Sequence, residues 1–225
     1  MNNTVFKAGI FIIGAAMKKP VVTGTENIEP GVPGIFISNH LGYFAPLKLF
    51  AFANFNYCPW VIADVTQRQL CKEYIKNDFV EPTLHWKYPL SDLTASVISP
   101  VCVSIMKHIQ AIPVYRLSRR IAETVEQSIL KLEQGANLLI FPESKDKPYN
   151  EYINMFLTGF VNVARIYYER NNQAVNFYPV CVSKRTNRIV FGKKITIDSA
   201  QPFYAEKQRI VKELEDSITA MLRSG

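Results

Sequence analysis

The apolar run Ile35–Phe36–Ile37 stops abruptly at Ser38–Asn39–His40, and Gly42, Tyr43, Phe44 and Pro46 follow within a few residues. A short, unbroken apolar run bounded by turn residues reads as a strand buried on both faces. This one delivers a histidine to the start of a helix, the usual place for site residues in an α/β protein. The rest of the chain repeats the alternation. Strands are expected at 21–26, 60–63, 111–115, 137–141, 175–182 and 188–197, the last two paired through the polar turn 184–187. Helices are expected at 46–54 and 69–78, in the apolar stretch 93–106, after Ser118, and in a C-terminal segment with Ile210, Leu214, Ile218 and Met221 inward. Phe156, Phe160, Val163 and Tyr167 recur at helical spacing and predict a further helix. Pro100 predicts a kink in 93–106, or two short helices. The expected fold is α/β, with a mixed, largely parallel central sheet of about seven strands flanked by helices.

A chain of 225 residues, 48% of them hydrophobic, suits one large α/β domain over 20–225. Ahead of it, residues 1–19 read as a short membrane-interface helix. The apolar run Val5–Met17 is too short to span a bilayer, and Lys18 and Lys19 follow at headgroup level. Its bland alternative is a helix packed on the core. Two readings are also open for 93–106: a core helix, or a second surface facing membrane or acyl chain. The net charge of +7 fits an anionic membrane surface or phosphorylated ligands. No nucleic-acid module is recognisable, so no nucleic-acid partner is expected. Cys58, Cys71, Cys102 and Cys181 show no C-x-x-C spacing and read as reduced thiols of a cytoplasmic protein. The three histidines make no zinc-like pattern, and no metal is expected.

Four segments in order resemble the glycerol-phosphate and lysophosphatidate acyltransferases. Asn39–His40 opens the family's first motif, N-H-x-x-x-x-D. Ala111–Arg116 is similar to the second, an apolar strand ending in arginine. Ile140–Phe141–Pro142–Glu143–Ser144 is similar to the third, F-P-E-G-T-R, and Tyr178–Pro179–Val180 to the fourth. The resemblance covers roughly 20 to 200. It implies a membrane-peripheral O-acyltransferase on the inner face of the cell membrane. Such an enzyme moves a fatty acyl chain from acyl-CoA or acyl carrier protein to a lysophospholipid or related lipid hydroxyl. The acyl donor is a co-substrate, and no bound cofactor is implied.

Acyl transfer to an alcohol needs a base for the hydroxyl proton, a hold on the acceptor and a stabilised oxyanion. A histidine near its natural pKa suits the first task, and His40 is the candidate. His85 and His108 have no motif around them and read as structural or surface. By resemblance, Arg116 holds the acceptor's anionic group as a planar guanidinium. Asn39, Glu143, Ser144 and Lys145 complete the candidate substrate-binding set. Two departures stand out. Ser144–Lys145–Asp146 replaces G-T-R, so Lys145 or Lys147 would have to supply the missing positive charge. Ala45 stands where the family's aspartate would orient the histidine. Three readings of Ala45 are open: another group, with Asp64 as candidate, orients His40; the chain binds lipid or acyl carrier without turnover; or the alanine is an engineered lesion.

Overall fold

In the computed structural model of the chain, the residues described are 14, 17–53, 56–115, 118–144 and 153–224. In chain order the elements are β1 (Val21–Thr23), β2 (Gly34–Ser38), α1 (Phe44–Phe52), β3 (Tyr57–Ile62), α2 (Arg68–Ile75), α3 (Leu90–His108), β4 (Ile112–Val114), α4 (Ile121–Glu133), β5 (Asn137–Ile140), α5 (Val161–Asn171), β6 (Asn176–Ser183), β7 (Arg188–Phe191) and α6 (Phe203–Arg223). The expected interface helix at 5–17 lies almost wholly outside the described residues.

Within the span 20–225 the chain packs as two compact units, one built on 58–127 and the other on 20–57 with 128–225. The larger unit holds a mixed sheet in the order β1-β7-β6-β2-β5. β2 is central, parallel to β5 on one side and to β6 on the other, with Ile37 opposite both Ile140 and Pro179. β6 and β7 form the expected antiparallel pair, and β1 runs parallel to β7. In the smaller unit β3 runs parallel to β4. The α/β class with mostly parallel strands and flanking helices is therefore what the chain adopts.

The central position of β2 accounts for its composition. Ile35, Phe36 and Ile37 are fully buried, as a strand covered on both faces requires. Each such side chain contributes roughly 1.5–3 kcal/mol by leaving water. Phe36 stacks on Tyr178 of β6 with ring centroids 4.9 Å apart and meets Tyr57 edge-on at 5.2 Å. Gly34 begins the strand because the Tyr178 ring lies across it: a Cβ there would sit 2.6 Å from Cε2. Lys48 of α1, in a helix otherwise almost wholly apolar, is only 2% exposed. Its Nζ donates to Asn187 Oδ1 at 2.7 Å and to the carbonyl of Lys18, and lies 5.5 and 5.1 Å from the Phe44 and Phe52 ring centres. Burial, then the charge of Lys18, lowers its pKa.

Several local expectations are corrected. α3 is one helix through Pro100 rather than two short ones, because Ser91, Ala95, Ser99 and Val103 form a continuous buried stripe on its inner side. Tertiary packing outweighs the local cost of the proline. Phe156 lies outside α5; it forms an isolated antiparallel bridge with Glu143, and its N–H donates to Glu215 Oε1 at 2.7 Å. The expected strand 188–197 ends at Phe191, and Ile195 pairs separately with Phe177.

A Gly34→Val substitution must displace the Tyr178 ring and loosen β2 at its start. Overpacking of this kind costs about 1–3 kcal/mol, to be read as a lowered midpoint in urea unfolding. An unchanged midpoint would show that the ring has room to move.

Candidate active site

β2 and β5 end side by side, and the residues just beyond them make the site. His40 follows Ser38, and Glu143 follows Ile140 through Phe141 and Pro142. In a parallel sheet adjacent strands present their carboxyl ends together, which is where such folds place ligands. Here the two loops are joined directly: the backbone N–H of His40 donates to Glu143 Oε1 at 2.5 Å. The other carboxylate oxygen accepts the N–H of Asn154 at 2.9 Å. Glu143 is 1% exposed. Burial raises its carboxyl pKa, while the N–H groups of His40 and Asn154 pull in the opposite direction.

The chain returns antiparallel to the Glu143 loop. Leu157 N–H donates to Pro142 O at 2.8 Å and Ser144 N–H to Met155 O at 3.0 Å. These bonds brace both sides of Glu143. The His40 ring is partly exposed and meets Phe141 edge-on, with centroids 5.2 Å apart, while its Nδ1 is shielded from solvent. One edge of the imidazole is thus held against the protein.

Asn39, a candidate for substrate contact by its place in the motif, is assigned elsewhere by the structure. It is 1% exposed, its Nδ2 donates to Val182 O at 2.9 Å, and its Oδ1 accepts Val182 N–H at 2.8 Å. An amide side chain matches a peptide unit in donor and acceptor, so Asn39 extends the β2–β6 ladder one step past Ser38. That keeps β6 in register where β2 turns away into the histidine loop.

Ser144 is buried beside Glu143. Arg116 and Lys145 lie outside the described residues, so the expected convergence of Arg116 on His40 lies there too. Ala45 is fully buried in an apolar cluster with Phe36, Leu49, Leu139 and Val180, and Phe141 packs against the same cluster. Asp64 lies in the turn Ala63–Thr66 of the smaller unit. Among the described residues no group of three His, Cys, Asp or Glu side chains is arranged to hold a metal ion. The link between Glu143 and the His40 backbone is not readable from sequence; only the position of each residue after an apolar strand signals it.

Residues 88–183 match the family model described as Acyltransferase. Among solved structures, the fold is similar to the crystal structure of the 1-acyl-sn-glycerophosphate (LPA) acyltransferase, PlsC, from Thermotoga maritima. That match has a TM-score of 0.60 at 14% identity and covers 98% of this chain and 79% of that one. No curated protein matches the sequence.

Asn39→Ala should leave the buried N–H and C=O of Val182 unpaired and cost about 2–4 kcal/mol in urea unfolding. A loss within error of zero would mean that water replaces the amide. Glu143→Gln gives a pH signature. A carboxyl whose pKa is raised on folding stabilises the protein below the ordinary glutamate value, and that contribution fades as pH rises through the raised one. The stability of the unmodified protein relative to the Gln variant should therefore decline as pH climbs out of the ordinary glutamate range. A difference that grows with pH would contradict the assignment.

Proposed function

We propose that this chain is a membrane-peripheral O-acyltransferase, a reading supported by the match of residues 88–183 to the Acyltransferase family model. It moves a fatty acyl chain from acyl-CoA or acyl carrier protein to the hydroxyl of a lysophospholipid or related lipid. The observation that carries the reading is the direct bond between the two strand-end loops, from the His40 backbone to the Glu143 carboxylate. It sets a partly exposed imidazole at the carboxyl ends of the parallel strands.

The chemistry follows from a neutral His40. The imidazole takes the proton of the acceptor hydroxyl as its oxygen attacks the thioester carbonyl. The tetrahedral oxyanion collapses, the C–S bond breaks, and the thiolate leaves with the proton that the imidazolium returns. Glu143 is a positioning residue: with both oxygens already accepting backbone N–H groups, it fixes the His40 loop. The Phe141 ring limits rotation of the imidazole. Together these supply part of the orientation that the family's aspartate provides, and they support activity with Ala45 in place. Arg116 and Lys145 hold the acceptor's anionic group. The net charge of +7 favours the anionic inner face of the cell membrane. The reaction needs no resident cofactor.

A second reading, lipid or acyl-carrier binding without turnover, is favoured by Ala45 alone. The two separate in a thioester-release assay against lysolipids. His40→Ala should lower kcat at least about 100-fold while donor binding persists, as loss of a general base does. A chain that binds donor but releases no thiol, before and after this change, is the binding protein instead.

Ala45→Asp should move the acid limb of the kcat/KM profile upward by about one pH unit or more, because a nearby carboxylate favours the charged imidazole. An unmoved limb would mean that His40 is not the group that titrates.

A further inference from the structure

α3 is amphipathic in the inverted sense. Its inward stripe consists of small residues, Ser91, Ala95, Ser99 and Val103, all buried. Its outward stripe consists of large aliphatic ones: Leu90 is 47% exposed, Leu93 63%, Val97 64% and Val101 53%. These recur at spacings of three and four and so share one face. The charge within the body of the helix is turned away from that face. Asp92 bonds Lys72 of α2 at 2.9 Å and has Lys76 3.9 Å away, both in the same unit. The helix is long and apolar enough to cross a bilayer, yet only 22% of its most apolar stretch is buried. Its inner side nevertheless packs on a polar helix, α2, with Arg68, Lys72 and Glu73. Hydrocarbon on all sides would strand those charges, which argues against the helix crossing a bilayer.

We propose that the Leu90–Leu93–Val97–Val101 face of α3 is a lipid-docking surface that lies flat in the headgroup–acyl boundary of an anionic membrane. The surrounding chemistry selects lipid. Trp86 and Tyr88 stand exposed just before the helix, and their amphipathic rings suit headgroup depth. Lys87 between them and Lys107 in the last turn are exposed cations at the two ends of the stripe, complementary to anionic headgroups. The stripe itself offers aliphatic side chains and none of the Trp, Tyr or Arg anchors that dominate protein–protein interfaces. The inference rests on the reading of the chain as an enzyme of membrane lipids, and it names the surface by which that enzyme meets them.

The test uses the full chain carrying Trp60→Phe, which leaves Trp86 as the sole tryptophan. Vesicles of equimolar phosphatidylcholine and phosphatidylglycerol, with or without brominated acyl chains, report contact without any acyl donor. Trp86 should be quenched by the brominated chains, and the protein should float with the vesicles. Leu93→Glu with Val97→Glu should weaken that association about tenfold or more, with an unchanged circular dichroism spectrum and unchanged release of thiol from a soluble acyl donor. Absence of quenching would overturn the proposal, as would a Glu variant that binds vesicles like its parent. Loss of a sedimenting dimer in the Glu variant, without vesicle binding by the parent, would also overturn it and mark the face as an interface between copies. Vesicle binding without thiol release would instead leave the surface standing and defeat the acyltransferase reading.

Discussion

The bond from the His40 backbone to the buried Glu143 carboxylate is the constraint on which the site depends. It joins two loops more than a hundred positions apart in the chain through the His40 backbone, leaving the imidazole outside the bond. A carboxylate this buried is costly, and backbone N–H donors from two segments are what make it tolerable. The parallel pairing of β2 with β5 brings those segments together, and the apolar interior of β2 secures that pairing. Asn39 extends the same logic to β6 through its amide pair with Val182. The histidine loop is therefore tied on both sides of β2 before any substrate arrives.

This arrangement bears on Ala45. An aspartate at that position would put a carboxyl group within the cluster of Phe36, Leu49, Leu139 and Val180. With alanine there, the cluster has no buried charge at that point, and the His40 backbone bond and the Phe141 ring are two restraints that do not depend on it.

The strand ends are legible in sequence because an apolar run cut short by polar residues marks the point where a buried strand leaves the core; His40 and Glu143 stand out by that sign. Their partners do not. Asn39, polar and next to a histidine, reads as a ligand, and only the neighbouring strand reveals its amide as a peptide mimic. Phe156 keeps helical spacing with Phe160 yet belongs to a bridge with Glu143, since spacing cannot report a partner far along the chain. Lys48 is a charge in an apolar helix, and nothing in the local pattern shows that Asn187 and the carbonyl of Lys18 wait to receive it. The apolarity of α3 is visible, but the side it turns outward depends on which residues meet α2.

The central claim is that Glu143 acts on catalysis only through His40, and a double-mutant cycle on the rate of thioester cleavage tests it most directly. Glu143→Gln alone should lower kcat about 10- to 100-fold by misplacing the base. In a His40→Ala background the same change should do nothing further, because the group it positions is gone. Losses that multiply independently in the double variant would contradict the account and give Glu143 a role in the reaction that does not pass through His40.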